Sequence, residues 1–339
     1  MTPQSAFMVA APIRPGQGAA LRALLASMNR APGMVDPNNA LFPFARSDQL
    51  HVARFVILYD ETLDDLAVYG TSFPEAPVWL VLLGDCDGAV DSILQQFAAT
   101  AEPGLRQIFA CCDDPPGPDL LAWMRGHSVQ PAAQYINWLG RTVQQIREEA
   151  ALHVFLRDYL ARNPTLATRD QLVAQARRAG PVLTPPAPTP SAWQSERLRW
   201  LASTVLLAVL LTPILLLLSP LLLVQLRVRE RTDPVIAPRP TPAHVAATSR
   251  QEDYDVTNPF SVFGSVKPGQ FRLWTLLLVF RALEFSTRFI YTRPAGASGD
   301  DPFCALGVMD DRRRLLFASN YDGSLDSYMD DSSTRSHSA

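Results

Sequence analysis

The residues best suited to chemistry lie in one strand-like run, Leu50–Leu58 (LHVARFVIL), where His51 and Arg54 stand three positions apart. A histidine of this kind serves as a general base or a haem ligand, and Arg54 beside it is the other candidate for a catalytic role. Side chains alternate faces along a strand, so the odd spacing sends His51 and Arg54 to opposite sides unless a bulge intervenes. A satisfied edge or core histidine is the simpler account of His51. Asp87, and further on Asn320 and Asp322, sit at strand ends where a polar ligand could bind, although helix capping explains such aspartates at less cost. His127 and His153 fall in helical pattern with no second ligand at i+4, so no metal site is expected. No Gly-rich phosphate loop, GxSxG elbow or HExxH occurs. The four cysteines, Cys86, Cys111, Cys112 and Cys304, include no CxxC pair, which speaks against a zinc site or a disulfide framework and for a reducing compartment. Whether the chain is an enzyme stays open on these residues.

The elements that must position them read most clearly in the N-terminal half. Ala6–Pro12 is an apolar strand, Arg14-Pro15-Gly16 a turn, and Gln17–Met28 a helix with Leu21, Leu24 and Leu25 at helical spacing. Leu50–Leu58 and Val78–Leu83 are strands. Asp87-Gly88 turns the chain into a helix over Val90–Ala98, with Asp87 expected as its cap and Asp91 in its first turn. Leu105–Cys112 reads as a last strand, which completes the order β-α-β-β-α-β of a ferredoxin-like unit. Helical pattern then dominates, notably over Ala132–Arg162. Pro-rich linkers follow at Thr184–Pro190 and Asp233–Pro242.

Two blocks recur in the same order. FMVAAPIRPGQ around Arg14 aligns with FSVFGSVKPGQ around Lys267, Phe7 falling on Phe260. LVLLGDCDGAVDSIL (Leu80–Leu94) aligns with LLFASNYDGSLDSYM (Leu315–Met329), so that Asp87 falls on Asp322 and Asp91 on Asp326. The second copy is expected to be partial. Only Tyr328–Ala339 follows its Asp-Gly block, and Phe303–Met309 is the one weak candidate for the strand before it.

Between the copies runs LASTVLLAVLLTPILLLLSPLLLVQL, from Leu201 to Leu226, without a charge. About 20 apolar residues cross a hydrocarbon core of ~30 Å. This run predicts a transmembrane helix, or a re-entrant hairpin if Pro213 and Pro220 break it. Arginines flank both ends, with a weak excess on the C-terminal side that favours that side as cytoplasmic. Met1–Ala10 has no basic start or long apolar stretch, so no cleaved signal is expected. Phe271–Tyr291 predicts an amphipathic helix in the bilayer interface, with Trp274 and Tyr291 at headgroup level. The net charge of −3 gives no field to recruit nucleic acid.

RPGQ and KPGQFRLWTL, LHVARFVIL, and RRRLLFASNYDGSLDSYMDD together resemble a group of uncharacterised bacterial membrane-associated proteins with tandem modules of the dimeric α/β-barrel type. The resemblance covers 6–112 and 258–330, and NYDGSLDSYMDD is its most specific part. It implies an HFARW-like strand before the second block; here that strand is missing, and the residues of the second copy matching His51 and Arg54 are expected to be apolar. Folds of this superfamily include haem peroxidases of the dye-decolorising type, although fold alone does not carry function.

The expected architecture is therefore α+β. A ferredoxin-like module (1–115) and a helical extension (116–180) precede a Pro-rich linker (181–200) and the membrane segment (201–226). A second linker (227–257), a partial second module (258–330) with its amphipathic helix (271–291), and a disordered tail (331–339) complete it. The expected function is a membrane-anchored module that binds a partner or an apolar ligand, with no cofactor. The alternative is a haem-dependent peroxidase-like oxidoreductase acting near the membrane. The expected partners are the lipid bilayer and either a second copy or the other module of the same chain. The expected location is the bacterial inner membrane, with the soluble parts in the cytoplasm.

Overall fold

The first strand, β1 (Gln4–Pro12), is buried along almost its whole length, because it lies in a sheet with both faces covered. The structure is a computed structural model. It describes residues 3–31, 34–60, 62, 66–70, 77–136, 141–163, 168–185, 187–233, 242–243, 246, 250, 258–287 and 303–321. After β1 come α1 (Gly18–Ala26), a short hairpin of β2 (Asn29–Ala31) and β3 (Met34–Val35), β4 (Leu50–Leu58) and β5 (Trp79–Asp87). The first sheet is antiparallel with order β1-β5-β4. Its outer face carries α1, α2 (Val90–Thr100), α3 (Glu102–Phe109) and α4 (Leu120–Gly126). Phe7, Val9, Leu80 and Leu82 from the sheet meet Leu21, Ile93, Phe97, Leu105, Ile108 and Met124 from the helices in one buried cluster.

The segment expected as a fourth strand is the helix α3. Leu105, Ile108 and Phe109 are buried at helical spacing, Pro103 occupies the first turn, and Glu102 pairs with Arg106 one turn on. Each feature favours a helix over a strand. The free edge of β1 is covered instead by two short segments. Arg14 N–H donates to Cys111 O and Asp113 N–H to Pro12 O, both at 2.9 Å, while Ala10 N–H donates to His127 O and Val129 N–H to Met8 O at 2.9 and 2.8 Å.

A second antiparallel sheet has the order β6-β8-β9-β7, from β6 (Ala133–Ile136), β7 (Asn258–Ser265), β8 (Phe303–Met309) and β9 (Arg314–Tyr321). Ala133–Ile136 belonged to the expected helical stretch. It is a strand because β8 offers it an edge, with Ala133 opposite Leu306 and Ile136 opposite Phe303. The helix α5 starts later, at Val143–Arg162, behind a capping box of Thr142 and Gln145. Strands β7, β8 and β9 run in the order β8-β9-β7, as β4, β5 and β1 run in the order β4-β5-β1. Phe7 stands opposite Gly84 and Phe260 opposite Ser319, the positions that the two aligned blocks superimpose.

The two sheets pack face to face. Ala6, Met8, Ala10, Leu58, Val81 and Leu83 of the first share a buried cluster with Phe263, Ala305, Met309, Leu316 and Ala318 of the second. A buried ion pair locks them at one corner, where Arg314 binds Asp60, itself fully enclosed. Asp60 also accepts from Thr62 and from Ser265 Oγ (2.6 Å).

Two helices extend from this body. After α6 (Arg169–Ala179), α7 runs unbroken over Ser191–Thr232, 42 residues with Pro213 and Pro220 inside it. It begins within the expected linker and ends past the apolar run. It is assigned as one continuous helix, and it is long and apolar enough to cross a membrane. Most of its apolar side chains are exposed, Leu217 at 80%. The helix α8 is described over Gln270–Phe285, and the expected Tyr291 lies outside the described residues. Its charged side chains do not form a solvent face. Glu284 is buried and accepts from Gln134 N–H (2.9 Å), and Arg281 lies over Trp200 and donates to Thr204 Oγ1 (2.6 Å) on α7. Trp274 remains exposed.

Candidate functional site

The site begins with a bulge in β4. Leu50 stands opposite Cys86 and Val52 opposite Asp85, so His51 is an extra residue. A bulge resets the alternation of faces. His51 and Arg54, expected on opposite sides of the sheet, therefore both reach the wall of one cavity of about 600 Å³. The cavity runs along the N-terminal half of β4. Val35, Pro37, Phe44, Leu50, Val52, Ala53, Leu83 and Pro259 form its apolar wall, and His51, Arg54, Arg147 and Asn320 are its polar members.

Behind that wall lies a buried polar cluster. His51 Nε2 is 3.0 Å from Asp87 Oδ1 and 3.0 Å from Gln4 Nε2. A ring nitrogen donates to the one or accepts from the other, not both at once, so a single proton decides which contact is made. Gln4 Nε2 donates to Arg141 O (2.6 Å), and Asp87 Oδ2 accepts from Val143 N–H (2.8 Å), which ties the cluster to the start of α5. Asp87 does not cap the following helix. Gly88, at φ +85°, turns the chain away, and Ala89 takes the cap position without a side-chain bond. Asp91 lies in the first turn as expected and pairs with Arg125.

Asp85 was not singled out by its sequence context and is the most perturbed carboxyl of the site. It is fully buried, and neither oxygen has a hydrogen-bond partner among the described residues. Burial pushes its pKa well above the usual carboxylate range. The Cys86 N–H opposes this without reaching hydrogen-bond geometry, and the charge of Asp87 adds to it. The signal was present: Asp85 and Asp87 are two residues apart in a strand, hence on one face, inside an otherwise apolar run.

Arg54 reaches across to the second sheet. One terminal nitrogen donates to Ser319 O (3.1 Å) and Asn320 Oδ1 (2.5 Å). The other donates to Phe260 O (2.7 Å) and Ser261 Oγ (3.1 Å). All four acceptors are neutral, and Nε has no partner. Burial without a compensating anion lowers the guanidinium pKa to about 10. Arg147, half exposed on α5, pairs with Asp48 (3.1 Å) and donates to Ser47 O (3.1 Å). No acidic side chain belongs to the described cavity wall. The wall is thus apolar with two cations.

The remaining expected residues are dispersed. Asn320 joins the site through Arg54. Asp322 and Asp326 lie outside the described residues, and Ala305 stands where the second sheet would match Arg54, since it faces Ala318 as Arg54 faces Leu83. His127 ends α4 and stacks on Trp123 at 4.0 Å, a packing role. Leu201 and Leu226 lie on α7, away from the cavity. Among the described residues no three His, Cys, Asp or Glu side chains converge as a metal site. No family model, no curated protein and no solved structure matches the chain.

Proposed function

We propose that the chain is a membrane-anchored α/β-barrel-type module that binds an apolar ligand carrying a negative charge. The observation that carries this is the cavity wall, apolar over most of its area and containing Arg54 and Arg147 with no acidic partner inside it. Pockets of this size and lining hold small molecules, and a few polar groups set the orientation. Arg54 is already spent on the second sheet, so it acts on a ligand through its charge. Arg147, half exposed and held by Asp48 and Ser47 O, would exchange that weak surface pair for a headgroup. The fold within this proposal is a tandem pair of ferredoxin-like units, the second partial, closed on each other in one chain. Support comes from the shared strand order and from the matching register of Phe7 with Gly84 and Phe260 with Ser319. The apolar surface of α7 and the arginines at both of its ends support attachment to a bacterial inner membrane, with the soluble parts in the cytoplasm.

Haem fits this cavity poorly. His51 is its one described histidine, and Nε2 of that ring already faces Asp87 and Gln4 on a side chain only 4% exposed.

Titration of the full chain in lipid nanodiscs with dodecanoate and with dodecanol tests the binding. Saturable uptake of both is expected, dodecanoate more tightly and with the preference shrinking as salt rises. Arg147→Gln should weaken dodecanoate about tenfold and leave dodecanol unchanged. Ala45→Trp, at an exposed position on the cavity wall, should block both. Uptake unaffected by Ala45→Trp would overturn the assignment.

A further inference from the structure

We infer that α7 enters and leaves the lipid on one face of the bilayer, so that the chain is held by a one-sided anchor and not by a span. The inference rests on the membrane attachment proposed above and concerns its geometry. Its first support is strand pairing. β6 precedes α7 in the chain and β8 follows it, yet the two are hydrogen-bonded neighbours, from Ala133 opposite Leu306 to Ile136 opposite Phe303. Ala132 N–H adds a bond to Leu306 O at 2.7 Å. The second support is the core. Met8 and Leu83, before α7, and Leu316 and Ala318, after it, lie in one buried cluster, and the Asp60–Arg314 pair spans the same divide. A sheet and a core cannot be assembled across a bilayer, so the two flanks of α7 share a side.

A single crossing would need a second segment to bring the chain back. From 234 to 257 the sequence carries Arg239, Arg250, Glu252, Asp253 and Asp255 and has no long apolar run. Charges at the bilayer centre cost about 2.5–3.5 kcal/mol each on insertion scales. The helix α8 comes after β7 and has Arg272, Arg281 and the buried Glu284 within its 16 residues. It is part of the body, not a return path. Among the described residues α7 is the one candidate.

The ends of α7 are consistent with this. Arg281 of α8 holds Thr204 near one end, and Arg272 holds Asp233 just past the other at 2.5 Å. On α8 the two arginines are separated by about 14 Å of rise, whereas Thr204 and Asp233 would be about 44 Å apart along a straight helix. Extended side chains and bending at Pro213 and Pro220 must take up the difference. The apolar middle of the helix then faces outward between two pinned ends. Arg197 and Arg199 at one end and Arg227, Arg229 and Arg231 at the other meet the anionic headgroups of the same leaflet.

The test is a double variant, Ala179→Cys with Arg250→Cys, in sealed vesicles of phosphatidylethanolamine and phosphatidylglycerol. Both positions are exposed, one on each side of α7. Floated vesicles are treated with a membrane-impermeant maleimide, and labels per molecule are counted by intact mass above the wild-type baseline. One-sided anchoring gives molecules with two added labels or none, whichever way the protein faces. Molecules carrying one label, which become doubly labelled once detergent opens the vesicles, would overturn the inference and leave the membrane attachment standing. Failure to float would overturn the attachment itself.

Discussion

The two sheets share the order of three strands, β4-β5-β1 in one and β8-β9-β7 in the other, but differ in what covers them. The first is buried on both faces, by four helices outside and by the second sheet inside. Among the described residues, the second sheet shares only the inner cluster. Its outer face has α8 across one end and leaves Val262 of β7 about half exposed. The first sheet can therefore hold itself together, whereas the second takes most of its burial from its neighbour. Hydrophobic stabilisation follows the area removed from water, so the second sheet should be the less stable region and should report first on any weakening of the interface.

The largest expected effect comes from the corner ion pair. Arg314→Met leaves Asp60 enclosed without a cation, and breaking such pairs costs about 3–5 kcal/mol. Denaturant unfolding should show that loss, and hydrogen exchange should open β7 and β9 before β1 and β5. A simultaneous opening of both sheets would erase the distinction between them. Two core truncations sharpen it. Leu82→Ala and Leu316→Ala should each cost about 2–5 kcal/mol. Leu82→Ala should raise exchange throughout the body, because Leu82 lies in the first sheet's own core, while Leu316→Ala should raise it mainly in β7, β8 and β9.

A smaller effect, of opposite sign, is expected at Asp85. Its folded pKa is raised above the ordinary value of 3.8, chiefly by burial. The contribution of such a group is fully present below pH 3.8 and is lost as pH rises toward the folded value. Asp85→Asn removes that decline and should stabilise the protein by about 1–2 kcal/mol at neutral pH. Melting temperatures at pH 4 and pH 8 should lie closer together in the variant than in the wild type. The smallest effect belongs to Thr142→Ala, which removes the capping box at the start of α5 and should cost about 1 kcal/mol. Because Val143 N–H binds Asp87, exchange should rise at Val143 and leave the second sheet's protection unchanged.

Much of this was legible in one dimension. Alternation and apolar runs located β1, β4 and β5, and the recurrence of PGQ and the Asp-Gly block located β7 and β9 along with the weak strand Phe303–Met309. Leu105–Cys112 misled because a short apolar run has the same composition in a strand and in a buried helix. Only the i, i+3, i+4 spacing of Leu105, Ile108 and Phe109 separates the two. Ala133–Ile136 misled in the opposite direction, since a strand of four residues has no local signal strong enough to compete with the helical pattern around it. Its partner, β8, lies more than 160 residues away.

His51 and Arg54 were recognisable as residue types, and so was the apolar length of Leu201–Leu226, because side-chain chemistry and transfer free energy are local properties. Their arrangement was not. The bulge that turns both side chains to one wall is a matter of register with β5, the neutral acceptors around Arg54 come from β7 and β9, and the partnerless state of Asp85 depends on what packs over it. That the segments before and after α7 belong to one body is decided in the same way, by β6 pairing with a strand from beyond α7. Contacts between distant segments depend on which surfaces fold onto each other, and that is a property of the assembled chain.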